Sequence, residues 1–537
     1  MSRPVRFSVR LAVTLVALLP AWSPACAPEA DPPDRATLTS VVEPVPTASR
    51  AARAARRPTP FRAPRDERPN IVLISADDMR RDELRYLPKT RALLGRQGMR
   101  FTDALTPHPL CCPARAELFT GQYAQNNGVR TNYPPQGGYA AFDPEHTIGT
   151  WLHAAGYNTA FVGKHLNSLP RNFQRNPGWT IFDPSLRGYA DYFDFEQYND
   201  GKPERVSGRE HYYTDYIAHL STSYLHQLSE YEAPFFLWVS HFGPHSIEKE
   251  HCTGRHCHKA PPPPSPTYYS NPRQVERDRS LSHNRAARLF RSPAFNEPDR
   301  TDKQHLIATA QPIDRPYVEH LVHGRIAALR AVDLAVAEVV EQLAADGELD
   351  NTYLMFVTDN GYLLGEHSYV GKILGYEPAV RTPLLVRGPG VRAGSVSDDT
   401  VTLVDLAPTW LDIAGATADV SEDGVSLLPI LDGDQRVMPH PGGVLIQAGP
   451  QRLETGPRGW YFRGVRTRRY TYMRYQDGWI ELYDRRRDPQ ELSSVAFDPR
   501  YARIATMLAH RTRVLARCNG PVDCNRAFRP LPPPLAS

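Results

Sequence analysis

Asn70-Ile71-Val72-Leu73-Ile74-Ser75-Ala76-Asp77-Asp78 decides the fold. Ile71 to Ile74 is continuously apolar, with no polar residue at every second position. That is the pattern of a strand buried on both faces, as at the centre of a parallel sheet. The run stops at two adjacent carboxylates. Such a pair at a buried strand end repels itself unless a cation or hydrogen-bond donors sit between the acids. The other reading makes Asp78 the cap of a following helix, which the sequence predicts over Met79 to Gly98.

Three more apolar runs share this character. Asn158 to Gly163 leads into Lys164-His165-Leu166-Asn167. Pro234 to Ser240 leads into His241-Phe242-Gly243-Pro244-His245. Tyr353 to Thr358 leads into Asp359-Asn360-Gly361. Asn-Gly also spells a type I′ turn, but the next predicted strand is too distant for a hairpin. Taken alone, Lys164 also reads as a solvated loop residue. Together the runs predict an α/β fold: a large mixed, mostly parallel sheet sandwiched by helices. In open sheets of this kind ligands bind beyond the carboxyl ends of the strands. One mouth then gathers Asp77, Asp78, Lys164, His245, Asp359 and Asn360. Oxygen donors of this type favour Ca²⁺ or Mg²⁺ over zinc.

A second stretch, Cys111-Cys112-Pro113-Ala114-Arg115-Ala116-Glu117-Leu118-Phe119-Thr120-Gly121, reads as the start of a helix. Proline suits a first turn and glycine closes the end. Cys111 then sits beside the positive end of a helix, where anions are welcome and a thiol can be activated. Arg115, one turn in, offers a fork of donors. A buried cysteine pair is the bland alternative.

The eleven-residue pattern resembles the signature of the sulfatase family, Cys-x-Pro-Ser/Ala-Arg followed by Thr-Gly. That resemblance implies that Cys111 is oxidised to Cα-formylglycine by a formylglycine-generating enzyme, and that its hydrate is the nucleophile. It implies metal ligands at Asp77, Asp78, Cys111, Asp359 and Asn360. It carries over Lys164 and Lys372 as sulfate-binding lysines, Arg115 as a catalytic residue and His245 as the base that drops the sulfate. His367 of Gly365-Glu366-His367 is a further substrate-binding candidate. Glu377 and Arg381 are assigned to structure. Many arylsulfatases have a histidine two residues after the first lysine. Leu166 stands there, so His165 is the candidate leaving-group acid. The Gly-Lys-x-Leu-Asn form resembles the N-acetylglucosamine-6-sulfatase and extracellular endosulfatase branch, which implies a sulfated sugar as substrate. Alternatives are a phosphonate monoester or phosphodiester hydrolase of the same superfamily, and a non-catalytic exported carbohydrate-binding protein.

The rest of the 537 residues sets the frame. A net charge of +4 gives no reason to expect nucleic acid as a partner. Arg3, Arg6 and Arg10 precede a short apolar run ending near Ala25-Cys26-Ala27, so 1–27 reads as an export signal. Cys26 is also a candidate lipid anchor. Residues 28–68, rich in Pro, Ala and Arg, read as a disordered linker. A catalytic domain is expected over 69–443 and a small antiparallel α+β domain over 444–537. Residues from about 248 to 312 read as irregular, with His251, Cys252, His256, Cys257 and His258 forming either a disulfide loop or a cramped zinc site. Cys252 with Cys257, and Cys518 with Cys524, are the expected disulfides of an exported protein.

Overall fold

The computed structural model describes residue 60 and residues 66–535, apart from 171–172, 174, 187–190, 200, 254–255, 271, 435–437 and 451–458; residues 248–258 are described by backbone alone. The expected export signal, Cys26 and nearly all of the expected linker lie outside the described residues.

The main sheet has eight strands: β1 (Asn70–Ala76), β2 (Met99–Leu105), β3 (Asn158–Gly163), β4 (Ile181–Pro184), β5 (Phe235–Ser240), β6 (Thr352–Thr358), β7 (Arg381–Arg387) and β8 (Ser395–Thr402). Their order is β8-β2-β7-β6-β1-β5-β3-β4. Only β7 runs against its neighbours. β1 lies between β6 and β5, as its unbroken apolar run predicts.

The strand period of two sorts side chains between two cores. Ile71 and Leu73 pack with the helices α1 (Cys111–Thr120) and α5 (Leu406–Ala414). Val72 and Ile74 pack on the other face with α2 (Tyr213–Ser229) and α4 (Arg315–Ala345). All four β1 side chains are fully buried, worth about 1.5–3 kcal/mol each over leaving them exposed. Helices therefore cover both faces, and the strand carboxyl ends are left for the site.

A separate antiparallel sheet holds β9 (Val444–Ala448), β10 (Phe462–Arg466), β11 (Tyr470–Tyr475) and β12 (Ile480–Asp484). Helix α6 (Ala502–Leu515) packs Ile504, Leu508 and Leu515 against Leu445, Val465, Tyr472 and Leu482. Cys518 and Cys524 are disulfide-bonded. Cys252 stands opposite Cys257 in a backbone hairpin, but the expected bond between them rests on side chains outside those described.

Two sequence expectations need correction. Met79–Gly98 is not one helix. It is broken into a 3₁₀ turn at Arg81–Tyr86 and short pieces from Pro88 onward, because Pro88 has no N–H to continue the first. Nor is 248–312 irregular throughout: α3 spans Pro272–Phe290. Its inward face carries Asp278, Ser282 and Arg285 as well as Ala286 and Leu289, so no apolar stripe announces it. Asp278 is held by Arg330 of α4, with Nη2 donating at 3.0 Å.

Candidate active site

Four strand ends build the site. At the end of β1, Asp78 takes a positive φ of 65°, an uncommon conformation that aspartate tolerates better than most residues. Asp78 N–H donates to Asp359 Oδ1 at 3.1 Å, so the ends of β1 and β6 are tied together. At the end of β3, Gly163 has φ 102°, and a Cβ there would lie 2.1 Å from Ser240 O. Only glycine permits that approach. It brings the next residue, Lys164, under β5, where its N–H bonds Ser240 O at 2.8 Å.

The side chains converge on Cys111, the first residue of α1. Lys164 Nζ lies against Asp77 and 3.5 Å from Cys111 Sγ. Lys372 Nζ lies against Asp78 and 2.7 Å from the same sulfur. Ligand atoms of Asp77, Asp78, Cys111 and His245 all fall within 4.8 Å of one another. Asn360 Nδ2 donates to Asp78 Oδ1 at 2.7 Å, while its Oδ1 is buried without a partner. That orphaned acceptor, with three buried carboxylates around it, fits a hard cation.

Arg115 is not a free anion binder. Its Nε donates to Asp359 Oδ2 at 3.0 Å, and its Nη1 donates to Lys164 O at 2.7 Å and Ser240 Oγ at 2.6 Å. It fixes Asp359 and the turn carrying Lys164. Ser240 was missed from sequence. The clue was its place as the last residue of β5, level with Ser75 near the carboxyl end of β1.

Electrostatics sort the group. Burial raises the Asp77 carboxyl, but the cations Lys164, Arg115 and Lys372 outweigh it and hold the acid ionised. Burial and then Asp77 push Asp359 up to about 6. Burial, reinforced by Asp77, pushes the Cys111 thiol well up despite both lysines. The expected activation of this thiol by the helix start is therefore not realised: desolvation wins over the dipole. His245 Nδ1 donates to Ser246 O at 2.5 Å, which leaves Nε2 with its lone pair, 3.6 Å from Asp78 Oδ2. Burial and Lys164 lower this histidine to about 4, so it is neutral.

Two candidates lie elsewhere. His165 is fully buried among Phe119, Phe142, Phe161 and Phe182, and neither ring nitrogen has a partner. Backbone alternation after β3 sends Lys164 to the site and its neighbour into the aromatic core. The structure does not place His165 as an acid at Cys111. His367 is paired through Nδ1 with Glu297 at 2.7 Å and stacks on Tyr376. Among the described residues its ring partners are Glu297 and Tyr376, not members of the Cys111 cluster.

Comparison with known proteins agrees with this geometry. The family model described as Sulfatase matches residues 69–416. The extracellular sulfatase SULF-1 homolog of Drosophila melanogaster is 32% identical over 404 residues, covering 72% of this chain and 34% of its own length. The N-acetylglucosamine-6-sulfatase of Homo sapiens is 29% identical over 506 residues, covering 84% of this chain and 85% of its own. A solved structure holding its substrate, D-glucosamine-2-N,6-O-disulfate, superposes with a TM-score of 0.63 at 21% identity, over 83% of this chain and 97% of the other. At that identity the likeness is one of fold.

Proposed function

The chain belongs to the sulfatase family, and from that premise we propose that it releases inorganic sulfate from a sulfated carbohydrate. The carrying observation is the convergence of two ammonium groups, Lys164 buried and Lys372 partly buried, on Cys111, beside two aspartates at the end of β1. This arrangement suits a tetrahedral oxyanion far better than a neutral substrate. The relatives named N-acetylglucosamine-6-sulfatase and extracellular sulfatase motivate a glycan as the substrate, in line with the Gly-Lys-x-Leu-Asn form at Lys164.

Asp77, Asp78, Asp359 and Asn360 would hold a Ca²⁺ or Mg²⁺ ion, which supplies Lewis-acid stabilisation of negative oxygen. Conversion of Cys111 to formylglycine supplies a geminal diol, with one hydroxyl to attack sulfur and a second to be deprotonated afterwards. The three carboxylates are matched by three cations, Lys164, Lys372 and Arg115, so a divalent ion leaves the pocket with charge to offset a sulfate. Lys164 and Lys372 stabilise charge on the sulfuryl oxygens. Arg115 keeps Asp359 and the Lys164 turn in place. His245, with Nε2 unprotonated, accepts the proton that frees sulfate. With His165 in the aromatic core, the two lysine ammonium groups are the acids at hand for the leaving alcohol. Residues 1–27 support export, and maturation then needs a formylglycine-generating enzyme as partner. Among the described residues no helix is long and apolar enough to cross a membrane.

Mass spectrometry of the Cys111 peptide from the native host tests this reading. An aldehyde reactive toward hydrazides is expected, together with sulfate release from N-acetylglucosamine-6-sulfate. Protein that carries only the thiol, or that releases no sulfate after conversion, overturns it.

A further inference from the structure

Beside the Cys111 mouth lies a second cationic group that the reaction does not use. Arg130 and Arg463 both pack on the ring of Trp460, their guanidinium carbons 5.0 and 3.8 Å from its centroid. Neither forms an ion pair with a described carboxylate. Arg463 donates from Nε only to Gln447 Oε1, at 3.2 Å. Two like charges this close, and half-buried, normally recruit an acid. Burial, and after it the neighbouring Arg130, lower Arg463 to about 10.

His108 completes the group. It is fully buried, with its ring centroid 6.2 Å from that of Trp460. Gly449 N–H donates to His108 Nε2 at 3.3 Å, so that nitrogen is the acceptor and the proton sits on Nδ1. Burial and Arg463 lower this histidine to about 3, so it stays neutral. Among the described residues its Nδ1–H has no acceptor. A buried donor left without a partner costs about 1–3 kcal/mol unless something else supplies the acceptor.

The group is tied to the nucleophile from both sides. His108 precedes Cys111 by three residues. Asn132, two residues after Arg130, accepts the Cys112 N–H at 2.9 Å. Gln447 N–H bonds Pro107 O at 2.9 Å, and Ile373 N–H, next to Lys372, bonds Pro109 O at 2.9 Å. Resting on the sulfatase reading above, we propose that Arg130, Arg463 and His108 form a subsite for a second oxyanion, a sulfate or carboxylate on the same glycan whose ester is cleaved at Cys111. Trp460 packs against both guanidinium groups, and neither is drawn to a described carboxylate, so each keeps N–H donors for an anion. Strand β10 of the antiparallel sheet, which gives Arg463, and the segment just before it, which gives Trp460, thus take part in substrate choice.

The test is a selectivity ratio in the converted enzyme. Kinetic constants are measured for N-acetylglucosamine-6-sulfate, for D-glucosamine-2-N,6-O-disulfate and for a monosulfated disaccharide containing a uronate. Arg130→Gln is the main variant, because Arg130 makes no side-chain hydrogen bond that folding would lose; Arg463→Gln is the second. The preference for a doubly anionic substrate should fall by about 10-fold or more, the loss of one charge-assisted contact. The change should appear mainly in KM, and whichever of the two doubly anionic substrates is affected identifies sulfate or carboxylate as the second group. A ratio unchanged within twofold for both substrates overturns the subsite. Binding of the disulfate, followed by tryptophan fluorescence, is measured in parallel. If the wild type cleaves no sulfate ester, the functional reading fails. Weakened binding in Arg130→Gln would still support the subsite, and equal binding in both proteins would reject it.

Discussion

Two buried charge clusters in this molecule use the same residue types to opposite ends. At the mouth of the main sheet, Asp77, Asp78 and Asp359 face Lys164, Lys372 and Arg115. Between the two sheets, Asp103 and Glu377 face Arg466, Arg485 and Arg381. In the second cluster guanidinium forks do the work: Arg466 spans from Asp103 to Glu377, and Thr400 Oγ1 also donates to Asp103 at 2.7 Å. Charges held by forks on rigid strands are positioned for good. In the first cluster two of the cations are lysines, point charges on flexible stems that rest on a sulfur as well as on carboxylates. An amide oxygen beside them, Asn360 Oδ1, has no partner among the described residues. The difference is between charges that complete each other and charges that wait for something else.

If that contrast is right, the site should lose chemistry while the inter-sheet cluster loses stability. The largest effect belongs to the nucleophile. Cys111→Ala should cut sulfate release by on the order of 10⁴-fold or more, whereas Cys112→Ala should keep much of it. Cys112 Sγ accepts the Asn167 N–H at 3.1 Å and donates to Asn132 O at 3.9 Å, and neither partner is one of the site carboxylates. Sulfate release assays on both folded variants check this, and full activity in Cys111→Ala would end the sulfatase reading. Next come the ligands. Asp77→Ala or Asp359→Ala should lower turnover by roughly 10²-fold or more and lose the bound cation with it. Elemental analysis beside the kinetics decides the point. Full activity in chelated, metal-free protein would remove the cation from the account.

The inter-sheet cluster should behave the other way. Arg466→Met leaves Asp103 and Glu377 buried with fewer partners, which should cost about 3–5 kcal/mol of stability. The folded fraction should keep its kcat/KM. Denaturant unfolding with activity measured below the transition separates the two, and a variant that is stable but inactive would erase the contrast.

The two clusters were also unequally legible. Asp77-Asp78, Lys164, His245 and Asp359-Asn360 each follow an apolar run, so strand ends could be counted and a shared mouth inferred before any coordinates. The inter-sheet cluster joins positions 103, 377, 381, 466 and 485, and no local pattern links them. Glu377 and Arg381 could be set aside as structural, but their partners could not be named. His165 misled because a residue beside a key lysine looks close in sequence, while backbone alternation turns it into the aromatic core. Helix α3 was hidden because it buries ion pairs instead of an apolar stripe. The anion group at Arg130 and Arg463 was equally invisible, since more than 300 residues separate the two and only the fold brings both onto Trp460.

The smallest expected effect sharpens the comparison with a third kind of buried acid. Glu481 on β12 is fully buried and is not held by a guanidinium fork. Its oxygens accept from Gln304 N at 2.8 Å and from the Tyr376 and Tyr483 hydroxyls at 2.9 Å each. Burial outweighs these bonds and the nearby Lys303, and pushes its carboxyl up to about 6. In the unfolded chain the same group titrates near 4.3. Between those two values the folded protein holds a proton that the unfolded chain has released. Stability therefore falls as pH rises through this window and levels off above it. At about 1.4 kcal/mol per pH unit, the group contributes at most about 2 kcal/mol. Glu481→Gln, which keeps an acceptor but cannot ionise, should remove that share of the slope. Thermal unfolding of both proteins between pH 4.5 and 7 reads the difference directly. Parallel stability curves would mean that the hydroxyls alone keep Glu481 ionised, and that a buried acid here needs no cation to hold its charge.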